Sequence, residues 1–180
     1  ALRAALHPSS DSVQNLIDSV RVAIHEKSYG KGVMVVANTK IISAREVQKN
    51  HNYGLEGLNS SEIGIMGYVY NEAVHFFAQS TKLHTENTEF DITKIKYLPQ
   101  VGIVYAHQDL TSIKVPDYLE GVVLAGMGAG NFNKATLKQL QLMQSNGVQV
   151  VRGSRIRGIP VLKSRASEVD DDKYGFVTAN

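Results

Sequence analysis

The first pattern along the chain is helical. From Ser10 to Glu26 the apolar residues Val13, Leu16, Ile17, Val20 and Ile24 recur at spacings that place them on one helix face, and Asp11 or Ser10 can cap the start. Gly30 and Gly32 then break the periodicity. Val33-Met34-Val35-Val36-Ala37 follows as a short continuous apolar run, which predicts a strand covered on both faces and, with the helix, half of a βαβ unit. Tyr68-Val69-Tyr70 and Ala73-Val74-His75-Phe76-Phe77 flank Asn71-Glu72 and predict a hairpin. Residues 78–99 are polar, end on Pro99 and read as a linker.

Beyond Pro99 the alternation is cleaner. Val101 to Tyr105 predicts a strand, Leu110 to Tyr118 a short crossover, and Gly121 to Leu124 a second strand. Leu137, Leu140 and Met143 mark a helix from about Lys134 to Ser145, which Asn146-Gly147 stops before a third strand at Val148 to Val151. Strands alternating with helices predict an α/β fold, with mostly parallel sheets, flanking helices and two lobes joined at residues 78–99.

Composition changes this picture little. The 180 residues suffice for one large or two small domains, and 43% hydrophobic with 20% charged residues is ordinary for a globular protein. Nineteen Lys and Arg against 17 acids leave a net charge of +2, without a basic block, which argues against nucleic acid as the partner. The absence of cysteine removes disulfides and thiolate metal sites. No apolar run approaches the roughly 18 residues of a membrane span, and no signal-peptide pattern is visible at Ala1.

The strongest candidate for chemistry is Ala125-Gly126-Met127-Gly128-Ala129-Gly130-Asn131, where an expected strand hands over to an expected helix. Glycines there let backbone N–H groups approach a ligand at the carboxyl end of a strand, and Asn131 is the side chain with specific hydrogen-bonding power. The spacing is wrong for a dinucleotide fingerprint, and no acid follows at the required distance. Within Arg45-Glu46-Val47-Gln48-Lys49-Asn50, extended backbone would put Arg45, Val47 and Lys49 on one face. Lys49 is then either a surface residue laid along apolar neighbours or a functional one. The six histidines show no pair at ligand spacing, so no metal or other cofactor is implied. Glu168-Val169-Asp170-Asp171-Asp172 could hold a hard cation or form a solvated acidic turn.

Several segments in order along nearly the whole chain resemble the bacterial L-asparaginase family, its periplasmic type II branch more than the cytoplasmic type I branch. They are Arg45 to Asn50, Gly67-Tyr68-Val69-Tyr70-Asn71, Lys82-Leu83-His84-Thr85 leading to Phe90-Asp91-Ile92, and Leu98-Pro99-Gln100 through Tyr105. The glycine-rich turn ending at Asn131, Val150-Val151-Arg152-Gly153-Ser154-Arg155, and Glu168 to Val177 complete the set.

The resemblance implies that residues 1–77 are the end of the asparaginase N-terminal domain and residues 100–180 most of the smaller, flavodoxin-like C-terminal domain. It implies amide hydrolysis, with asparagine as the substrate and glutamine as an alternative one, by a homo-oligomer built as a dimer of dimers, periplasmic if the full-length protein carries a signal peptide. Lys49 matches the lysine of a Thr–Lys–Asp arrangement that activates a threonine, since a hydroxyl attacks an amide only when a base takes its proton. Desolvation would have to lower that lysine's pKa for it to act as the base. Asn131 and Glu168 match residues that reach across a subunit interface to the substrate's α-amino end, while Asp170 to Asp172 stay structural and Tyr174 and Phe176 face the core.

The departures are as informative. The family's Thr-Gly-Gly-Thr segment and its Thr-Asp pair are not among these 180 residues. The chain is therefore expected to be a fragment, inactive alone. Ala4-Ala5, Ser12-Val13 and Thr39 replace residues usual in the family, and the crossover before Gly121 looks shortened. Two other functions fit the resemblance: a non-catalytic, self-associating remnant, and the asparaginase-like subunit of a tRNA-dependent amidotransferase.

Overall fold

The computed structural model describes residues 1–60, 64–156, 161–163 and 169–179, and it divides into two compact units, Ala1–Lys94 and Ile95–Asn180. In the first unit, helix α1 (Ser12–Ile24) precedes strands β1 (Met34–Ala37), β2 (Lys40–Ser43), β3 (Val47–Lys49), β4 (Leu58–Ser60), β5 (Ile65–Tyr70) and β6 (Ala73–Phe76). A four-stranded sheet has the order β1-β2-β5-β6, and β3 pairs with β4 alone.

Every pairing in this unit is antiparallel. The expected βαβ start is thus replaced by a hairpin. Asn38 and Thr39 take φ of 48° and 63°, a two-residue turn with both residues left-handed, and that turn matches the natural twist of paired strands. The expected hairpin at Asn71-Glu72 forms in the same way, with φ of 47° and 67°. β1 is only half-buried over Met34, Val35 and Val36, so it is not covered on both faces by the described residues.

Helix α1 turns its polar side inward. Asn15, Asp18 and Val22 are its buried residues, whereas Leu16 is 67% and Ile24 79% exposed. The cause lies in the hairpin turns beneath it. Asn15 Oδ1 accepts from the Asn38 amide at 2.9 Å, Asp18 accepts from Arg21 at 3.0 Å, and Arg21 reaches Glu72 at 3.1 Å. These contacts satisfy turn backbone and charge, and they hold the apolar stripe outward. Asp11 occupies the N-cap position, but its carboxylate accepts from the Leu2 and Arg3 amides rather than capping the helix. The unit's small core comprises Val22, Ile41, Met66 and Val69.

In the second unit β7 (Val101–Tyr105), β8 (Gly121–Gly126), α2 (Lys134–Ser145), β9 (Gln149–Ser154), α3 (Asp171–Tyr174) and β10 (Val177–Thr178) form a parallel sheet with flanking helices. The strand order, β7-β8-β9-β10, is sequential. Val122, Leu124, Leu140, Val150 and Phe176 make the core, with Tyr174 packed against it. Asn133 caps α2 by accepting from the Thr136 amide at 2.8 Å. Its amide group also donates to the Leu110 carbonyl at 2.9 Å and thereby ties the irregular crossover to the helix. The class is α/β, with the parallel pairing among the described residues confined to this unit.

Candidate active site

The glycine-rich turn forms where β8 ends. The Met127 amide donates to the Asn131 carbonyl at 2.8 Å, and the Asn131 amide donates back to Met127 at 2.7 Å, closing a loop over Gly128, Ala129 and Gly130. Two of its glycines are obligatory for lack of space. A Cβ on Gly126 would sit 2.4 Å from the Gly130 carbonyl carbon, and one on Gly130, whose φ is +89°, would sit 2.7 Å from Arg152 Nη1.

Asn131 is half-buried, and its Oδ1 is buried without a hydrogen-bond partner among the described residues. Leaving such an acceptor unmade costs about 1–3 kcal/mol. A ligand donor would relieve that cost. The sequential strand order supplies no topological switch point within this sheet, so the candidacy of the turn rests on Asn131 and its frame.

The frame comes from β9. Arg152, fully buried, donates through Nε and Nη2 to the two carboxylate oxygens of Asp171, each at 2.6 Å, and through Nη1 to the Ala129 carbonyl at 3.1 Å. Thr178 donates to the same carboxylate at 2.6 Å. Burial alone would raise the Asp171 pKa, but the hydrogen bonds from Arg152 and Thr178 and the Arg152 charge outweigh it and hold the group below its ordinary value. Ser154 adds a hydroxyl donated to the Gly128 carbonyl at 2.6 Å. Asp171 is thus structural, the role the resemblance implies, and buried rather than part of a solvated turn; Phe176 is buried while Tyr174 is half-buried. Glu168 lies outside the described residues.

Lys49 belongs to the first unit. It ends β3 opposite Leu58, and its ammonium is exposed, with no hydrogen bond or ion pair among the described residues. The loop after it is tight: His51 Nδ1 accepts from the Tyr53 and Gly54 amides at 3.0 and 2.8 Å, and the Asn50 amide donates to Gly57 at 2.7 Å. No group of three or more acids and histidines able to hold a metal occurs among the described residues, and no helix there is long and apolar enough to cross a membrane.

Arg152 was not singled out by residue pattern, yet a lone charge after Val150-Val151 in a core strand is a signal, since a buried arginine requires a partner. A cavity of about 1030 Å³ lies elsewhere. It is lined by residues such as Val115, Tyr118, Met143 and Val148 and opens near the amino ends of the strands, away from the turn.

Fold and turn together define a two-unit α/β protein with a glycine-lined candidate site at the carboxyl end of a parallel sheet. Residues 1–82 match the asparaginase N-terminal family model, and residues 100–180 the glutaminase/asparaginase C-terminal domain. A probable periplasmic L-asparaginase of Haemophilus influenzae is 38% identical over 99% of this chain and 52% of its own length. L-asparaginase 2 of Escherichia coli is 33% identical over 99% and 52%. Among solved structures, a probable cytoplasmic L-asparaginase from Campylobacter jejuni superposes with a TM-score of 0.85 at 31% identity, covering 99% of this chain and 57% of that one. The chain belongs to the bacterial asparaginase family, and it spans about half the length of the curated relatives it matches.

Proposed function

We propose that this chain carries part of an L-asparaginase active site, which hydrolyses asparagine to aspartate and ammonia through a threonine nucleophile that these 180 residues do not contain. The observation that carries the proposal is the buried Oδ1 of Asn131, unpartnered among the described residues, on a turn whose Ala129 carbonyl accepts from Arg152, in a chain of this family. An α-ammonium is a suitable donor to that oxygen, with Glu168 as the acidic partner. Such a charge-assisted hydrogen bond contributes about 1.5–3 kcal/mol.

Lys49 is assigned the role of base for the threonine. Its exposure here means that the desolvation it needs must come from surroundings other than the described residues of its own unit. Residues 78–99 serve as the linker between the two domains, and the working form is an oligomer in which Asn131 and Glu168 complete a neighbouring subunit's site. Glutamine is a second candidate substrate, supported by a glutaminase-asparaginase of Pseudomonas fluorescens that is 34% identical over the full chain. The name of the Haemophilus influenzae relative favours export to the periplasm.

Ammonia release from L-asparagine tests the proposal. The 180-residue chain alone is expected to show none. The same chain joined behind a Thr-Gly-Gly-Thr-bearing first half of an asparaginase N-terminal domain is expected to turn over steadily. Turnover by the chain alone, or aspartate binding without turnover in the joined protein, would contradict it, the latter in favour of a non-catalytic remnant.

A further inference from the structure

Arg152 is the one fully buried cation among the described residues, and it serves two backbone segments at once. On one side it grips Asp171, which opens α3 and lies three residues after Glu168 in the sequence. On the other it donates to Ala129 at 3.1 Å and stands 3.5 Å from the Gly130 carbonyl oxygen, directly before Asn131. The approach is so close that Gly130 has no room for a side chain.

A bare ion pair of this depth brings little net stability, because desolvating both charges offsets their attraction. A hydrophobic pair of similar volume would fill the space equally well but could not hold the turn carbonyls. The planar five-donor fork of arginine can bind a carboxylate with two parallel N–H groups and still direct a third to a carbonyl on its far side, a span that the compact ammonium of a lysine does not cover. Each end of the fork is used.

We propose that Arg152 is a positioning residue for substrate recognition: its guanidinium locks the Met127–Asn131 turn to the Asp171 segment, so that the Asn131 Oδ1 is presented in one fixed place. Arg152 touches no substrate in this scheme. It acts through the Ala129 and Gly130 carbonyls on the residue that follows them. The ligand class rests on the asparaginase reading above; the locking of the turn does not.

The test uses the 180-residue chain with Arg152→Lys, which keeps a cation beside Asp171 but loses the fork, and Arg155→Met as a neighbouring control. Arg155 donates to the Ala106 carbonyl and its side chain touches no turn carbonyl. Amide hydrogen exchange and the side-chain amide resonance of Asn131 are followed in each, and L-aspartate titration is done on the same variants in the joined protein that carries the first half of the site. In Arg152→Lys, the Gly130 and Asn131 amides are expected to lose at least about tenfold in protection, the Asn131 resonance to shift, and core amides such as Val122 and Val150 to stay protected. Arg155→Met should leave the turn unchanged.

An unchanged turn in Arg152→Lys overturns the proposal. So does loss of protection spread equally over turn and core, or failure of this mild variant to fold, because each makes Arg152 a general stabiliser. In the joined protein, aspartate affinity should fall about tenfold with Arg152→Lys, the effect of losing about 1.4 kcal/mol. If the joined protein with Arg152 intact binds no aspartate, the amino-acid reading of the site fails by itself, and the exchange data still decide whether Arg152 locks the turn.

Discussion

The two units solve the same problem of burying apolar surface in opposite ways. The second encloses it: Leu124, Leu140 and Val150 are sealed between a parallel sheet and α2, and a fully buried ion pair ties the candidate turn to the same body. The first builds its sheet from hairpins and keeps the apolar stripe of α1 outward, with Lys49 exposed at the end of a short strand. The contrast bears on function. Asn131 sits in a frame that its own unit completes, whereas the described residues of the first unit leave Lys49 without the apolar surroundings that its assigned chemistry needs.

The sharpest way to break that contrast is to remove the partner of Arg152. Asp171→Asn leaves a buried guanidinium without its counter-charge and is expected to destabilise the second unit by about 3–5 kcal/mol. Urea unfolding followed through exchange of the Val122 and Val150 amides measures it. The pH dependence has a definite sign. Because the folded pKa of Asp171 lies below its ordinary value, its contribution is fully present above the unfolded value of about 3.9 and is lost as pH falls through the folded one. In Asp171→Asn that part of the acid loss should vanish.

Core truncation comes next. Leu140→Ala is expected to cost about 2–5 kcal/mol, because Leu140 is fully enclosed. The corresponding change on the exposed stripe of α1, Leu16→Ala, should stay within about 0.5 kcal/mol. Equal losses at the two positions would mean that α1 is covered in solution.

Most of the second unit was legible in the sequence. The helix runs from Lys134 to Ser145 as its apolar spacing and the Asn146-Gly147 stop require, and the strands fall where continuous apolar runs stand. The Asn71-Glu72 hairpin was also readable. What misled was periodicity without a partner. Val13, Leu16, Ile17, Val20 and Ile24 do share a helix face, but a pattern of spacing cannot say which body that face meets. The Asn38-Thr39 turn escaped because neither residue is glycine, and the two-residue reversal it makes converts an expected parallel start into an antiparallel pair.

For the site, the glycine turn and Asn131 stood out by composition, and family resemblance singled out Lys49 and Glu168. The bond from Arg152 to Ala129 joins residues far apart in the chain, and only the folded register of β8 and β9 brings them together.

The central claim, that this chain holds the base of an asparaginase site while its nucleophile lies outside these residues, meets its most direct test in Lys49→Met within the joined, active protein. The expected result is a fall in kcat for asparagine of about 10²–10⁴-fold, with KM nearly unchanged and the fold intact. A kcat close to that of the unsubstituted joined protein would contradict it.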